Sequence, residues 1–388
     1  FIMVFSLESE IVYPDYENSE TIYGMSCGIA RFFDVKRDCM VDPMEISGRR
    51  LVFIFLDGVG WSLYNKIGIP VKGEVRKIKT LFPSTTSTVT TTIFTAQTPG
   101  EHGVLGYVMF NKKLGGIINT LKYRYVAEGG NDTIRNHIPY IKAFPIKPWV
   151  HETEKRIISL LPSAISTGEF ASTIHKDPSN EEKASIKGYF NGTDMIINLH
   201  EILSSGVFDG IFVYYSSIDH LGHLYGYESN LESYIVYDIR CILEKLLQLA
   251  QEYRQDTTFI LFADHGQVTI ERTFILNEDK ELLDLLEIPP YGDSRVLWFR
   301  TRNDIRAYLQ EKYNLWVLSK EEIIGSKLLG KVDSDVAKNM LGDYVGISRD
   351  SKTRYIYSYR ENDPNLTFKG NHSGLSEKEM YVPLIKIE

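Results

Sequence analysis

The chain has 388 residues, enough for two domains or for one large α/β domain that carries an insertion. Hydrophobic residues make up 43% and charged residues 24%, a composition that excludes a disordered, collagen-like or coiled-coil protein. With 43 basic and 51 acidic residues the net charge is −8, so we expect the protein to repel double-stranded nucleic acid and anionic membranes.

Targeting and cysteine signals are weak. No apolar run approaches the roughly 20 residues that span a bilayer, so no membrane partner is expected. Residues 1–5 are apolar but lack the basic flank and the cleavage pattern of a signal peptide. The three cysteines, Cys27, Cys39 and Cys241, are too few and too scattered for a disulfide framework. These features predict a cytoplasmic protein in a reducing setting and leave its oligomeric state open.

The first 50 residues mix short apolar pieces with turn-forming residues and show no clear periodicity. We interpret residues 1–50 as an N-terminal extension that packs on a main domain of residues 51–388. That domain begins with the apolar run LVFIFL at residues 51–56. The length of the run and its continuous hydrophobicity predict a strand that is covered on both faces.

The next informative segment, FPSTTSTVTTTIFTAQTPGEHG at residues 82–103, is rich in hydroxyl groups. Dense threonine disfavours a helix and fits a strand with hydroxyls facing water. Turn formers at its start equally favour a helix that begins near Thr85 or Thr86 and ends before Pro99. A hydroxyl in that first turn would meet the positive end of the helix dipole, which suits a phosphate. The local pattern leaves both structures open.

The runs GIFVYY (210–215) and TFILFA (258–263) repeat the pattern of the first strand. Between them, residues 231–253 place apolar side chains at three- and four-residue spacing, which predicts an amphipathic helix. Buried strands that alternate with helices indicate the α/β class, with a parallel sheet between helical layers.

Two stretches interrupt this alternation. Residues 108–205 carry clusters of Gly, Asn and Pro, and we interpret them as an insertion. Residues 290–350 contain a strand-like VLWF, a helical DIRAYLQEKY and a strand-like LWVL, which predict a small α+β subdomain.

Acidic residues follow all three predicted strands, and histidines lie close to them in the sequence. The acids are Asp57, Asp219 and Asp264, and the histidines are His223, His265 and, near the C-terminus, His372. Ligands of open α/β sheets bind outside the carboxyl ends of the strands, so we expect the acids to converge. Each acid alone would more often be a turn former or a helix cap. Together they predict a site for divalent zinc, manganese or iron, with two ions easier to accommodate than one.

Five motifs in order resemble the type I phosphodiesterase/nucleotide pyrophosphatase family of the alkaline phosphatase superfamily. They are LDGVG, FPSTT with TPGEHGVLGY, the Asp219-x-x-x-His223 pair continued by GHLYG, ADHG, and NHSGLSEKEMYVPLI. The resemblance runs from about Leu51 to Ile385. It implies an alkaline-phosphatase-like three-layer sandwich with a mostly parallel central sheet.

The resemblance also implies a set of roles. One metal ion would be held by Asp57, Thr86, Asp264 and His265, and a second by Asp219, His223 and His372. Thr86 would be the nucleophile that forms a phospho-threonine intermediate, with Thr85 as the alternative register. The family carries zinc most often. The implied reaction is hydrolysis of a phosphodiester or pyrophosphate bond in a small-molecule or nucleotide substrate.

Alternative functions remain open. The same kind of site serves phosphomonoesterases, phosphonate hydrolases and mutases of the superfamily, and a non-catalytic metal-binding protein is the alternative outside the enzymes. A diesterase needs an apolar or aromatic slot for its leaving group. Four aromatic residues near the motifs are candidates for such a slot, although each could equally pack in the core: Tyr107, Phe110, Trp149 and Tyr225.

Overall fold

The structure, a computed structural model, describes residues 11–361 and 363–388. The apolar residues 1–5, considered above as a signal peptide, lie outside the described residues. In chain order the strands are β1 (Arg50–Leu56), β2 (Glu74–Lys79), β3 (Val108–Asn111), β4 (Gly116–Asn119), β5 (Arg124–Tyr125), β6 (Ile157–Pro162), β7 (Ala184–Tyr189), β8 (Gly210–Tyr215), β9 (Thr257–Phe262), β10 (Val268–Thr269), β11 (Arg272–Ile275), β12 (Tyr291–Asp293), β13 (Val296–Phe299), β14 (Leu315–Ser319), β15 (Tyr344–Ser348), β16 (Thr353–Ile356), β17 (Gly370–Asn371) and β18 (Tyr381–Ile387).

The helices connect these strands. They are α1 (Ile22–Phe32), α2 (Trp61–Ile67), α3 (Thr86–Thr95), α4 (Pro99–His102), α5 (Tyr140–Ala143), α6 (Glu169–His175), α7 (Gly192–Ser205), α8 (Ser217–Tyr225), α9 (Glu232–Tyr253), α10 (Lys280–Asp284), α11 (Arg306–Tyr313), α12 (Lys320–Gly325), α13 (Ser334–Asn339) and α14 (Glu377–Met380). Among the helices described, none is both long and apolar enough to cross a bilayer.

A seven-stranded sheet forms the centre of the fold, in the order β2-β18-β9-β1-β8-β6-β7. Strands β9, β1, β8, β6 and β7 are parallel, and β18 runs antiparallel to both of its neighbours. The three strands predicted from continuous hydrophobicity are β1, β8 and β9, and they lie side by side with every residue of β1 buried. The α/β class is therefore confirmed. The carboxyl ends of these three strands share one edge of the sheet.

Helices cover both faces of the sheet. Helix α1 packs on α3, which also contacts α6, while α2, α7 and α8 all pack on α9. The predicted amphipathic helix at residues 231–253 is α9, and its buried side includes Ile235, Ile239, Leu246 and Leu249. The result is a three-layer arrangement of helices, sheet and helices.

A separate antiparallel sheet in the order β12-β13-β15-β14 occupies residues 291–348. The predicted VLWF strand is β13, and the predicted helix after it is α11. By contrast, residues 157–189 do not form an insertion, because β6 pairs with β8 and extends the central sheet to β7. Within the predicted insertion, β3, β4 and β5 form a small sheet of their own. How the whole chain divides into domains stays a prediction.

Described residues between position 11 and β1, such as Ile22 and Phe33, are buried in the main hydrophobic core. Helix α1 is capped by the Thr21 side chain, and Phe33, just after the helix, stacks on Trp149 with ring centroids 4.7 Å apart. Cys27 and Cys39 form a disulfide with a Cα–Cα distance of 6.5 Å, which the number and spacing of cysteines did not predict. Disulfides persist in oxidising compartments, so this bridge does not fit the reducing, cytoplasmic setting expected from the sequence.

The disulfide gives a direct prediction. Thiol titration of the unreduced, denatured protein should detect one thiol, that of the exposed Cys241, and three after reduction, because the chain has three cysteines. Reduction should lower the free energy of unfolding by about 3 kcal/mol, as expected for a loop of this length. Three thiols before reduction would show that Cys27 and Cys39 are not bonded.

Candidate metal centre and active site

The acidic residues predicted to converge do so at the shared edge of the sheet. Asp57 directly follows β1, and Asp264 and His265 follow β9. Asp219 lies in the first turn of α8, just after β8, with His223 one turn further along the same helix. Because β9, β1 and β8 are adjacent and parallel, their carboxyl ends lie next to one another. The side chains that follow these ends therefore meet at one edge of the sheet.

His372 reaches the same place from the C-terminal part of the chain. It follows β17, which pairs with β10 shortly after His265. The ring centroids of His372 and His265 are 3.5 Å apart, and those of His372 and His223 are 5.1 Å apart. All three predicted histidines therefore belong to one cluster.

The hydroxyl-rich segment forms a helix rather than a strand, and Thr86 is the first residue of that helix, α3. Its Oγ1 lies 3.3 Å from Asp57 Oδ1 and 3.3 Å from His265 Nε2. Thr85, the residue before the helix, is buried and makes no capping hydrogen bond. The geometry thus favours Thr86 over the Thr85 register.

A threonine-rich helix is stable here because its hydroxyls find partners inside the protein. Thr91 and Thr95 donate to carbonyl oxygens four residues earlier, at 2.7 Å each. Thr88 donates to the carbonyl of Val104, and Thr92 shares a hydrogen bond of 3.0 Å with His102 Nε2. Such bonds offset the low helix propensity of threonine in a buried segment.

The remaining distances divide the cluster into two overlapping groups. His223 Nε2 lies 3.3 Å from Asp219 Oδ2, and His372 Nε2 lies 3.7 Å from Asp219 Oδ1. On the other side, His265 Nε2 lies 3.0 Å from Asp264 Oδ2 and 3.5 Å from Asp57 Oδ1. Two sets of residues have ligand atoms close enough to hold a metal ion, namely Asp219, His223 and His372, and Asp57, Asp219 and His265.

The hydrogen bonds behind the histidines fit them for metal binding. Each Nδ1 faces a backbone carbonyl oxygen, that of Gly370 for His223, Gly266 for His265 and Ser84 for His372, at 2.8–2.9 Å. A proton on Nδ1 leaves the lone pair of Nε2 directed at the aspartate oxygens. Two lone pairs facing each other repel, so a cation between them completes the arrangement. The donor set therefore fits divalent metal ions.

The pKa shifts reflect the same crowding. Burial, reinforced by the charges of Asp264 and Asp219, raises the pKa of Asp57 well above its usual range. Burial also acts to raise the pKa of Asp219, but the imidazole of His223 outweighs it and lowers that pKa. For His265, burial lowers the pKa but the charge of Asp264 prevails and raises it to about 9. Protons thus occupy positions that a metal ion would take over.

Two residues that sequence reasoning missed hold the aspartates in place. Tyr214, in β8, donates its hydroxyl to Asp57 Oδ2. Gln267, three residues after Asp264, donates to both the backbone oxygen and Oδ1 of Asp219. Tyr214 lies in a predicted strand next to the site, but nothing in its local sequence distinguishes it from a core tyrosine.

A hairpin of the small sheet also reaches the site through residues 293–295, which run from the last residue of β12 to the residue before β13. Asp293 Oδ1 accepts a hydrogen bond from the Tyr107 N–H at 2.8 Å. Ser294 donates to Asn371, next to His372, at 2.6 Å. Burial raises the pKa of Asp293 to about 6 despite contacts with Tyr107 and Thr85. The sequence motifs gave no sign that Asp293 and Ser294 reach the site.

Arg295 anchors the hairpin through a fully buried ion pair. It donates to both carboxylate oxygens of Glu379, at 2.6 and 3.1 Å. Glu379 also accepts hydrogen bonds from the N–H of Gly374 and from Ser376, and so holds the loop that follows His372. The small sheet and the last histidine are therefore joined through one carboxylate.

A cavity of about 320 Å³ opens beside Thr86 and the aspartate and histidine side chains. Of the four aromatic residues predicted to line a leaving-group slot, only Tyr107 does so. Phe110 packs on Tyr291, and Tyr225 is exposed outside the cavity. Trp149 is fully buried. Its indole N–H donates to the carbonyl of Ile93, and its ring stacks in the core.

Comparison with known proteins identifies the family. Residues 51–140 and 146–340 match the model of the type I phosphodiesterase/nucleotide pyrophosphatase family. The chain belongs to this family. No curated protein matches the chain. As a type I phosphodiesterase/nucleotide pyrophosphatase family member, it is a hydrolase that acts on phosphoric ester or anhydride bonds.

Solved structures share the fold of this family member. Murine ectonucleotide pyrophosphatase/phosphodiesterase 5 is 16% identical, with a TM-score of 0.64 and 87% of both chains covered. An inactive variant of that murine protein, in complex with AMP, gives a TM-score of 0.63 at 16% identity over 87% of this chain and 88% of that chain. Phosphonoacetate hydrolase from Sinorhizobium meliloti 1021 is 14% identical, with a TM-score of 0.60 over 88% of this chain and 90% of that one. The predicted alkaline-phosphatase-like fold is confirmed.

The buried ion pair predicts a stability effect. Arg295→Met should lower the free energy of unfolding by about 3–5 kcal/mol in urea titrations, because it leaves the Glu379 carboxylate buried without its cation. Lys331→Met, which breaks an exposed pair with Asp38, is the control and should change stability far less. Equal effects of the two variants would contradict the anchoring role of Arg295.

The raised pKa of Asp293 predicts that the stability of the protein depends on pH. Its pKa is raised from 3.8 to about 6, so between these values the folded chain keeps a proton that the unfolded chain has lost. The stability of the metal-free protein therefore falls as pH rises through this window, and Asp293→Asn removes that loss. The variant should melt within error of wild type at pH 4 and roughly 2–4 °C higher at pH 7 by calorimetry. A constant difference at all pH values would contradict the assignment.

Proposed function

We propose that the protein is a metal-dependent phosphodiesterase or nucleotide pyrophosphatase with Thr86 as its nucleophile. The observation that carries the proposal is the position of Thr86 Oγ1, 3.3 Å from both Asp57 Oδ1 and His265 Nε2 at the start of a helix. A hydroxyl in this place lies beside two of the proposed metal ligands, where a bound cation would lower its pKa.

Two divalent ions fit the donor set. Asp57, Thr86, Asp264 and His265 would hold one, and Asp219, His223 and His372 the other. Zinc suits these oxygen and imidazole ligands best, and manganese or iron fits the same set. When bound, the ions would lower the pKa of the Thr86 hydroxyl and of water and would neutralise charge on the phosphoryl group.

The chain's own residues then account for the reaction. The Thr86 hydroxyl, beside the proposed ligands Asp57 and His265, would release its proton to solvent, and Oγ1 forms a bond to phosphorus as the bond to the leaving group breaks. The leaving group takes up a proton. Water then attacks the phospho-threonine, and the bond between Oγ1 and phosphorus breaks to regenerate the hydroxyl.

The N-terminus of α3 would bind the phosphoryl oxygens. The Thr85 side chain makes no capping hydrogen bond, so the first N–H groups of the helix are not used up by a cap. These groups and the helix dipole favour an anion beside Thr86. The helix thus both positions the nucleophile and attracts its target.

A diester fits this site better than a monoester or a phosphonate that carries a second acid group. Among the described residues that line the cavity, none is a lysine or arginine. A monoester dianion, or the carboxylate of a substrate such as phosphonoacetate, brings additional negative charge. Apart from the proposed metal ions, no lysine or arginine among the described lining residues would balance that charge. The fold shared with phosphonoacetate hydrolase keeps that reaction as the second candidate.

We also infer a different location from the one that the cysteine number predicted. The Cys27–Cys39 bridge favours an oxidising compartment over the cytoplasm.

The nucleophile assignment is tested by substitution. Thr86→Ala should reduce hydrolysis of bis-p-nitrophenyl phosphate by roughly 10³-fold or more, because it removes the hydroxyl that lies 3.3 Å from both Asp57 and His265. Elemental analysis should still find metal in the variant, and a chelator should abolish the activity of wild type.

Thr85→Ala is the matched control, since it removes the adjacent hydroxyl and should retain much of the activity. Mass spectrometry of quenched wild-type reactions should detect a phosphorylated peptide that contains Thr86. A Thr86→Ala enzyme as active as wild type would refute the assignment.

A further inference from the structure

Helix α9 has an unusual outer side. Its inner side, which includes Ile235 and Ile239, is buried against the central sheet. The opposite side carries Tyr234, Tyr237 and Cys241, and all three residues are exposed. The outer side of a surface helix normally carries charged and polar residues. Two tyrosines and a cysteine in succession make the first half of α9 an exception to this rule.

These three side chains form one continuous surface. Tyr237 follows Tyr234 by three residues and precedes Cys241 by four, and side chains at these spacings are neighbours on a helix. The Tyr237 hydroxyl lies beside the Cys241 thiol. Tyr234 and Tyr237 are 73% and 70% exposed, so the rest of the described chain leaves both rings uncovered.

A third ring lies close to this surface. Phe190, two residues before the start of α7, is 86% exposed. The chain contacts α9 directly after it, because a Cβ atom added to Gly192 would lie 2.6 Å from Ile242 Cδ1. Phe190 is therefore carried next to the outer side of α9. We call the surface made by Phe190, Tyr234, Tyr237 and Cys241 the α9 face.

The size of the α9 face suits a specific interface. A fully buried aromatic side chain removes roughly 150–250 Å² from water, so the three exposed rings offer roughly 300–600 Å² on one chain. Apolar patches of this size are often functional. Two chains that covered each other's rings and the side chains between them would bury on the order of 1,000 Å², where specific protein interfaces begin.

The residues further along α9 indicate that the partner is a second copy of this chain. Lys245 and Gln248 continue the same side of the helix after Cys241, and both are exposed. Two identical helices can pack antiparallel about a two-fold axis, here placed at Cys241. The axis then brings Tyr237 opposite Lys245 of the second copy. It also brings Tyr234 opposite Gln248 of the second copy, and each of these pairs forms twice.

The electrostatics of these pairs favour the antiparallel arrangement. An ammonium group over a tyrosine ring is attracted by the ring face. In the single chain the Lys245 ammonium makes a weak contact with Gln248 Oε1 at 3.4 Å, which leaves it available to Tyr237 of a second copy. A parallel arrangement in the same register would place Lys245 against Lys245, and these like charges would repel. The α9 face is therefore complementary to itself in one orientation.

We propose that the α9 face binds the same face of a second copy of this chain, so that the protein is a two-fold symmetric dimer with antiparallel α9 helices. The inference goes beyond the proposed function and does not depend on it. Among the described residues that line the cavity beside Thr86, none belongs to α9. The contact therefore uses no residue of the candidate active site.

The mass of the full chain in solution tests the proposal. Light scattering during gel filtration at micromolar concentration should give about twice the chain mass of 44.5 kDa. Tyr237→Lys places a lysine against Lys245 of the second copy and should weaken the dimer by about 100-fold or more, which gives the mass of one chain. A wild-type protein with the mass of one chain would overturn the proposal.

The matched control adds a lysine elsewhere. Ile141 is an exposed apolar residue of α5, which packs on α6 on the other side of the central sheet from α9. Ile141→Lys should therefore keep the mass of the dimer. Circular dichroism spectra like that of wild type show that both variants are folded. Equal masses for the two variants would overturn the assignment to the α9 face.

Thiol cross-linking tests the position of the two-fold axis. Because Cys27 and Cys39 form a disulfide, Cys241 is the thiol that a maleimide can modify in the folded protein. A short bismaleimide should join two wild-type chains through Cys241. Cys241→Ser should remove this product and keep the mass of the dimer in light scattering. A wild-type dimer that the bismaleimide does not join would refute the antiparallel arrangement about Cys241.

Discussion

Repulsion between carboxylates at adjacent strand ends is the constraint on which this structure depends. Asp57, Asp219 and Asp264 would separate in water, but β1, β8 and β9 hold them at one edge of a buried sheet. The hydrogen bonds behind His223 and His265 then direct imidazole lone pairs into the same space. Raised pKa values at Asp57 and His265 let protons offset part of this repulsion, and the proposed metal ions would take the place of those protons.

The fold meets this constraint with ordinary secondary structure, namely parallel strands and the start of one helix. Parallel strands bring the acids together through ordinary backbone pairing, and the start of α3 adds a hydroxyl and a positive dipole end to them. The hydroxyls further along α3 bond to its own backbone and to neighbouring segments, which lets a threonine-rich sequence stay helical where Thr86 requires it. The site is built mainly from rigid elements, and this limits the reorganisation needed during a reaction.

Much of this arrangement could be predicted from the sequence, because continuous hydrophobicity identifies buried parallel strands and their ends must share an edge. Asp57, at one of those ends, follows from that rule, and Thr86 follows from its motif. What escaped prediction depends on contacts between distant segments. The position of Asp293 depends on how a separate sheet docks, and Trp149 was a candidate for the cavity although core packing holds it elsewhere. The partner of Cys27 could not be found from spacing alone.

The hairpin at residues 293–295 has a consequence for how such an enzyme can diverge. One short turn touches the substrate cavity through Asp293 and, through Arg295 and Glu379, steadies the loop that carries His372. A mutation that re-aims this turn to admit a new substrate also disturbs the loop next to His372, one of the proposed metal ligands. Substrate range and metal retention would therefore be inherited together at this turn, and new specificities would arise more readily at Tyr357 and Tyr359, whose rings contact each other rather than a proposed metal ligand.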